Sequence, residues 1–214
     1  MATAELPARY SSISVDEMQA RYRVAADMLY PCDREQQVRL YEESLQLVGD
    51  LNLVDWTGDG YPYNVIVDGD LTVEGDVTYF CDEGPGFLHL VTGTLRARNL
   101  FLNGFPNVVV RGDLIVTHGV LGCYGEDGGL LKVAGKVQAQ TVVKSWHFNT
   151  SFASRPQSVV VADRSVADGP SDHTEDLAAS ALLPDLLNND GDIDTDRVEQ
   201  ALRRGQPILR SATP

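Results

Sequence analysis

Between Asn64 and Phe148 the hydrophobic and polar positions follow one short pattern written four times. The copies are Val65-Ile-Val-Asp-Gly-Asp-Leu-Thr-Val73, Leu90-Val-Thr-Gly-Thr-Leu-Arg-Ala97, Val109-Val-Arg-Gly-Asp-Leu-Ile-Val116 and Leu131-Lys-Val-Ala-Gly-Lys-Val-Gln-Ala139. Aligned on Gly69, Gly93, Gly112 and Gly135, the residue two before is always valine: Val67, Val91, Val110 and Val133. Two after come Leu71, Leu95, Leu114 and Val137, and four after come Val73, Ala97, Val116 and Ala139. A further apolar residue recurs beyond these, at Val77, Leu100, Val120 and Val142. Apolar side chains two apart lie on one face of extended backbone. The positions between them, such as Asp68, Asp70, Thr72, Arg96, Arg111 and Lys136, suit water. A glycine at one point of every copy fits a bend where a side chain would crowd or φ must be unusual.

The glycines are 24, 19 and 23 residues apart. That period is short for a propeller blade and fits one coil of a solenoid, whose coils stack because none buries its apolar face alone. A leucine-rich repeat shares the period, but its asparagine ladder and per-repeat helix are missing. The expected fold is therefore mainly β: a small parallel β-helix of about four rungs, with flanking α-helical segments at both ends.

The flanks read as helices. Ser14 with Glu17 forms a capping-box pattern that opens a helix through Met18, Tyr22, Val24 and Met28, stopping at Pro31. Asp33 with Gln36 repeats the signal for a second helix through Val38, Leu40, Tyr41, Leu45 and Val48. The pair is expected to pack as a hairpin over the start of the solenoid, since an open end exposes unpaired edges. Trp56 is expected to plug that junction, before a turn at Asp59-Gly60. Val159-Val-Val161 starts a partial fifth coil. Residues 165–175 read as a polar linker, followed by a short helix kinked at Pro184. A last helix, capped by Asp194 or Thr195, runs through Val198, Ala201 and Leu202 to Gly205, and Ile208 and Leu209 dock on the body. The expected organisation is a helical cap over 1–63, a β-helix over 64–164 and a linker with helical segment over 165–214.

Composition narrows the function. The chain has 214 residues, 43% of them hydrophobic, which supports one domain with appendages. No run of about 18 apolar residues exists to span a membrane. The start, Met-Ala-Thr-Ala-Glu-Leu-Pro-Ala-Arg9, has no basic and apolar leader, and Cys32, Cys81 and Cys123 are odd in number, so the expectation is a cytoplasmic protein with reduced thiols. The net charge of −14 is concentrated on the flanks: −6 on residues 1–64, −3 on 65–148 and −5 on 149–214. Such a surface repels phosphate backbones and attracts basic partners.

No motif for chemistry survives inspection. Asn188-Asn-Asp-Gly-Asp-Ile-Asp-Thr-Asp196 resembles the middle of a calcium loop, but counting from Gly191 places Leu186 and Arg197 where oxygen ligands are required. His89, His118 and His147 are evenly spaced, yet sit at −4, +6 and +12 from their rung glycines and would not stack. Asp68, Asp70 and Asp113 lie on adjoining copies with no pattern beyond solvation, so a carbohydrate-active enzyme is poorly supported. No phosphate loop, dinucleotide fingerprint or nucleophile elbow occurs. The expectation is a protein that is not an enzyme and carries neither metal nor cofactor.

The Val-x-Gly-Asp-Leu-x-Val copies resemble the bactofilins, bacterial β-helix proteins that form polymers; the likeness covers about 85 residues, Asn64 to Phe148. This chain departs from them in its irregular, inserted coils and in its folded flanks, which would block the helix ends through which bactofilins polymerise. In general form it is similar to bactofilin-like solenoids among acidic immunity proteins that neutralise bacterial toxins. That resemblance implies a protein holding a basic toxin of nuclease type; covered ends imply a monomer or small oligomer, and charge and composition imply no direct contact with nucleic acid or membrane. The candidate contact residues are Glu126 and Asp127, in the glycine-rich excursion Gly122–Gly129, and Asp190, Asp192, Asp194 and Asp196. Between Glu175 and Gln200 there are eight acids and one base, Arg197. The alternative is a bactofilin-like structural polymer.

Overall fold

The computed structural model describes residues 3–54, 63–81, 87–123, 129–145, 147–163 and 176–211. The expected Trp56 plug, the Asp59-Gly60 turn, Glu126 and Asp127 lie outside those residues. The chain opens with β1 (Thr3–Ala4), β2 (Ser11–Ile13) and α1 (Val15–Tyr22). Three successive faces then wind into coils. The first coil is β3 (Val38–Tyr41), β4 (Leu45–Leu47) and β5 (Asp50–Asn52), and the second is β6 (Asn64–Val67), β7 (Leu71–Val73) and β8 (Val77–Cys81). The third is β9 (Leu88–Val91), β10 (Leu95–Ala97) and β11 (Leu100–Gly104), and the fourth is β12 (Asn107–Val110), β13 (Leu114–Val116) and β14 (Gly119–Cys123). After these four three-strand coils the strands merge: β15 (Leu130–Val133) leads into the long β16 (Val137–Lys144), and β17 (Asn149–Phe152) into β18 (Gln157–Ala162). The chain closes with β19 (Asp176–Leu177), α2 (Ala178–Ala181), a 3-10 turn over Pro184–Leu186 and α3 (Thr195–Arg203).

All coil-to-coil pairing is parallel, as a β-helix requires. The first face is a seven-stranded sheet in the order β17-β15-β12-β9-β6-β3-β2, where β2 alone is antiparallel. The second and third faces join through β16 into one twelve-stranded sheet. The aligned residues point inward together: Val67, Leu71, Val91, Leu95, Val110, Leu114, Val133 and Val137 share one buried core with Val77, Leu100, Val120 and Val142. The mainly β solenoid expected from the repeats is the fold.

The corner glycines answer to crowding. None of Gly69, Gly93, Gly112 and Gly135 has positive φ. Instead their backbones stack: the amide of Gly93 donates to the carbonyl of Gly69 at 2.8 Å, and that of Gly112 to Gly93 at 2.9 Å. A Cβ on Gly112 would lie 2.5 Å from the Gly93 carbonyl oxygen, closer than carbon tolerates.

Two expectations about the flanks need correction. Val38 to Asn52 is no helix; its three strands are the first coil of the solenoid, paired residue for residue with the second (Val38 with Asn64, Leu45 with Leu71, Leu51 with Val77). The solenoid therefore begins well before residue 64. Nor do helices cover the ends. α1, capped by Ser14 Oγ accepting from the Glu17 amide at 3.1 Å, ends at Tyr22 because Arg23 turns left-handed (φ 52). Its Val15, Met18 and Tyr22 pack on the outside of the first face, against Val38, Leu40, Ile66, Leu90 and Val109. The C-terminal segment likewise lies on the outside of the third face: Ala178, Leu182, Leu186, Ile193, Val198, Leu202 and Ile208 cover Phe101, Leu121, Val143 and Val161. At the first coil the end is finished by strands, β1 on β5 and β2 on β3, with Ala4 and Leu6 joining the core.

Candidate partner-binding surface

The two covered faces follow from apolar side chains on both sides of their strands, the pattern of a buried parallel sheet. On the second face the outward positions are Gln46, Thr72, Arg96, Ile115 and Gln138, and no described segment packs over them as α1 and the C-terminal cover do on the other faces.

Carboxylates between the coils are committed to structure. Asp70 Oδ1 accepts the Thr94 amide at 2.7 Å, and Asp113 Oδ1 accepts that of Lys136 at 2.8 Å. Asp68 takes the Thr92 hydroxyl at 3.0 Å, the Tyr22 hydroxyl at 2.8 Å and Arg21 at 3.3 Å, tying α1 to the corner; burial and then Asp68 hold the Tyr22 phenol above its ordinary range. Asp76, fully buried, accepts from Arg98 Nε and Asn99 Nδ2 with one oxygen and from Arg203 with the other, at 2.8, 2.9 and 2.8 Å. That last contact fastens α3 to the solenoid. Arg98 also reaches Asp50 at 3.3 Å, and its guanidinium is held above its ordinary range chiefly by the Asp76 hydrogen bond.

The histidines go three ways. His89 points into the core, its ring 5.4 Å from that of Tyr79, and burial pushes it down to about 3, so it is neutral. His118 sits at the corner between the second and third faces, and His147 is exposed with φ 56. Cys123 lies under α3; burial first, then Glu199 and Asp196, push its thiol up to about 12, which leaves it unreactive. Cys32 is pushed up to about 11 by burial.

The acidic segment Asn188–Asp196 is built as a braced loop. Leu187 and Ile193 bridge across its base, with Ile193 buried in the cover. Asn188 Oδ1 accepts the amides of Asp190 at 2.9 Å and Asp192 at 3.0 Å, and Gly191 takes the positive φ of 85° at the tip. Asp194 is the N-cap of α3, accepting the Arg197 amide at 3.1 Å and pairing with its guanidinium at 3.0 Å. Of the four aspartates, Asp194 is thus a structural residue. Asp190 and Asp196 are exposed and Asp192 is half-buried, and among the described residues none of the three forms an ion pair. Sequence reading missed the residues that hold this loop in place: outward Phe101, Leu121, Val143 and Val161, and the Asp76–Arg203 latch. The signal was available, because an exposed strand would carry polar residues at those four register-matched positions.

Compared with family models, with curated proteins and with solved structures, the chain matches none.

Proposed function

We propose that this chain is a non-enzymatic binding protein of the immunity type, which holds a basic, nuclease-type protein toxin in the cytoplasm and covers its active site. The observation that carries the reading is the braced loop: Asp190 and Asp192, with Asp196 in the first turn of α3, form no ion pair among the described residues and stand on a base packed onto the solenoid. A nuclease cleft is cationic because it receives phosphates, and fixed carboxylates compete for it without chemistry. The net charge of −14 steers such a partner inward. Glu126 and Asp127 are the second candidate contact. The test is co-expression with the product of the neighbouring reading frame, measuring survival and binding, for the parent, for the four aspartates changed to asparagine, and for Glu126 and Asp127 neutralised. Protection and affinity unchanged in both variants would remove the acidic mechanism; no binding to the neighbour would remove the immunity reading.

A second reading, a bactofilin-like structural polymer, is favoured by the rung motif and by β4 and β17, each at one end of its sheet among the described residues. Strand edges of that kind are templates for pairing with another chain. Filaments seen by electron microscopy at micromolar concentration would establish it in place of the first.

A further inference from the structure

A cleft of about 150 Å³ lies where the C-terminal tail, residues 205–209, passes over the corner between the second and third faces. Its walls are Leu202, Pro207, Ile208 and Leu209, and the buried Thr141 and the ring of His118 also line it. Exposed Gln140 and Gln206 stand among its lining residues. The tail that forms one side is anchored: Leu209 bridges to Leu182, the Leu183 amide donates to the Ile208 carbonyl at 2.9 Å, and Arg210 binds the carbonyls of Leu182 and Ala179.

The His118 ring has a defined polarity. Nδ1 is enclosed with no hydrogen-bond partner among the described residues. An enclosed bare acceptor is tolerated better than an enclosed bare N–H, so a proton is assigned to Nε2. The Cε1–Nε2 edge faces Gly205, where a methyl would lie 3.4 Å from Cε1 and 3.9 Å from Nε2. Gly205 lines the same cleft.

Size and chemistry select the occupant. A cavity of about 150 Å³ admits one benzene-sized ring. Apolar walls suit the ring's body, an N–H donor at its edge suits an oxygen on the ring, and rim glutamines suit a hydroxyl that also donates. We propose that this cleft seats a tyrosine side chain of the protein partner, with His118 Nε2–H donating to the phenol oxygen. Tyrosine is among the residues that dominate interface energetics when one anchor fills a pocket. The proposal rests on the reading of the chain as a binding protein and adds a neutral anchor to its acidic surface.

The experiment uses the full chain labelled with ¹⁵N at histidine and three probes: N-acetyl-tyrosinamide, N-acetyl-phenylalaninamide and phenol. The expected result is a saturable shift of His118 Nε2 with the tyrosine probe, at an affinity about tenfold above that for the phenylalanine probe, as one net hydrogen bond gives. His118→Phe should abolish that preference; should it fail to fold, Gln206→Trp, on the exposed rim, should block the site instead. Equal affinity for the tyrosine and phenylalanine probes, or no shift at His118, would overturn the proposal. Phenol binding as tightly as N-acetyl-tyrosinamide would assign the cleft to free phenolic molecules and overturn the protein anchor. No toxin is needed, so the outcome is independent of the co-expression experiment.

Discussion

The amide of Gly135 donates to the carbonyl of Gly112 at 3.0 Å, and a methyl on Gly135 would lie 2.4 Å from that same oxygen. The contact leaves no room for a side chain, whatever its rotamer. Gly112→Ala and Gly135→Ala should each cost about 1–3 kcal/mol through forced displacement of the stacked corner, read from the midpoint of urea unfolding. A midpoint like the parent's in both would remove the crowding account.

The inward register makes a second prediction. Leu95 and Leu114 are buried and lie on adjacent strands, paired directly. Replacing either with alanine should cost about 2–5 kcal/mol. Variants that melt with the parent would contradict the stacked core.

His89 gives a pH dependence. Burial depresses its folded value to about 3, below the 6.5 of an exposed histidine. The unfolded chain therefore takes up a proton that the folded chain refuses, and the stability this contributes is complete above pH 6.5 and lost as pH falls toward 3. Between pH 6.5 and 5 the parent should lose about 1.6 kcal/mol more than His89→Leu, the slope steepening toward roughly 1.4 kcal/mol per pH unit as the unfolded histidine becomes fully protonated. The comparison is of urea midpoints at the two pH values, and parallel losses would show that His89 is not the group responsible.

The four aspartates should separate by role. Asp194→Ala removes the cap of α3 and should cost about 1 kcal/mol. Asp190→Asn, Asp192→Asn and Asp196→Asn should stay within about 0.5 kcal/mol of the parent, as surface changes do. Thermal melts of the four variants check this; a large loss from Asp190→Asn would mean that the loop tip is structural.

The latch on α3 is testable apart from global stability. Arg203→Ala removes one charged hydrogen bond from the buried Asp76, worth about 1.5–3 kcal/mol. Amide exchange should rise in α3 before it rises in β6 to β15, and uniform exchange would deny the latch that role.

What the sequence disclosed and what it hid each have a physical reason. The repeat was legible because the four middle copies carry the corner glycine. Glu43 stands level with Gly69, two residues beyond the Tyr41–Val67 pair, so the first coil has no glycine and Val38-Arg-Leu-Tyr41 passed for a helical segment. It needs none: a Cβ on Gly69 would strike Ser44, whereas β4 ends its sheet and no described coil lies before it. The positions of α1 and α3 went unread although their signal was present: alternation reports one buried side of a strand, and the apolar Ile66, Leu90, Val109 and Phe101 mark the other as buried too. The acidic residues were visible as a cluster, but only the hydrogen bonds of Asn188 and Asp194 divide cap from surface.

The corner rule also has a direction. Every glycine in the stack is required by the coil before it, as Gly93 is by Gly69 and Asp70, and Gly112 by Gly93 and Thr94. In the final coil Ser154 stands level with Gly135 and no corner hydrogen bond joins them. Both terminal coils therefore carry a side chain where the inner coils cannot. The corner therefore lets the solenoid be extended from within: a duplicated inner coil brings its own clearance, whereas a copy of the first, set between two others, would wedge the stack apart at Glu43.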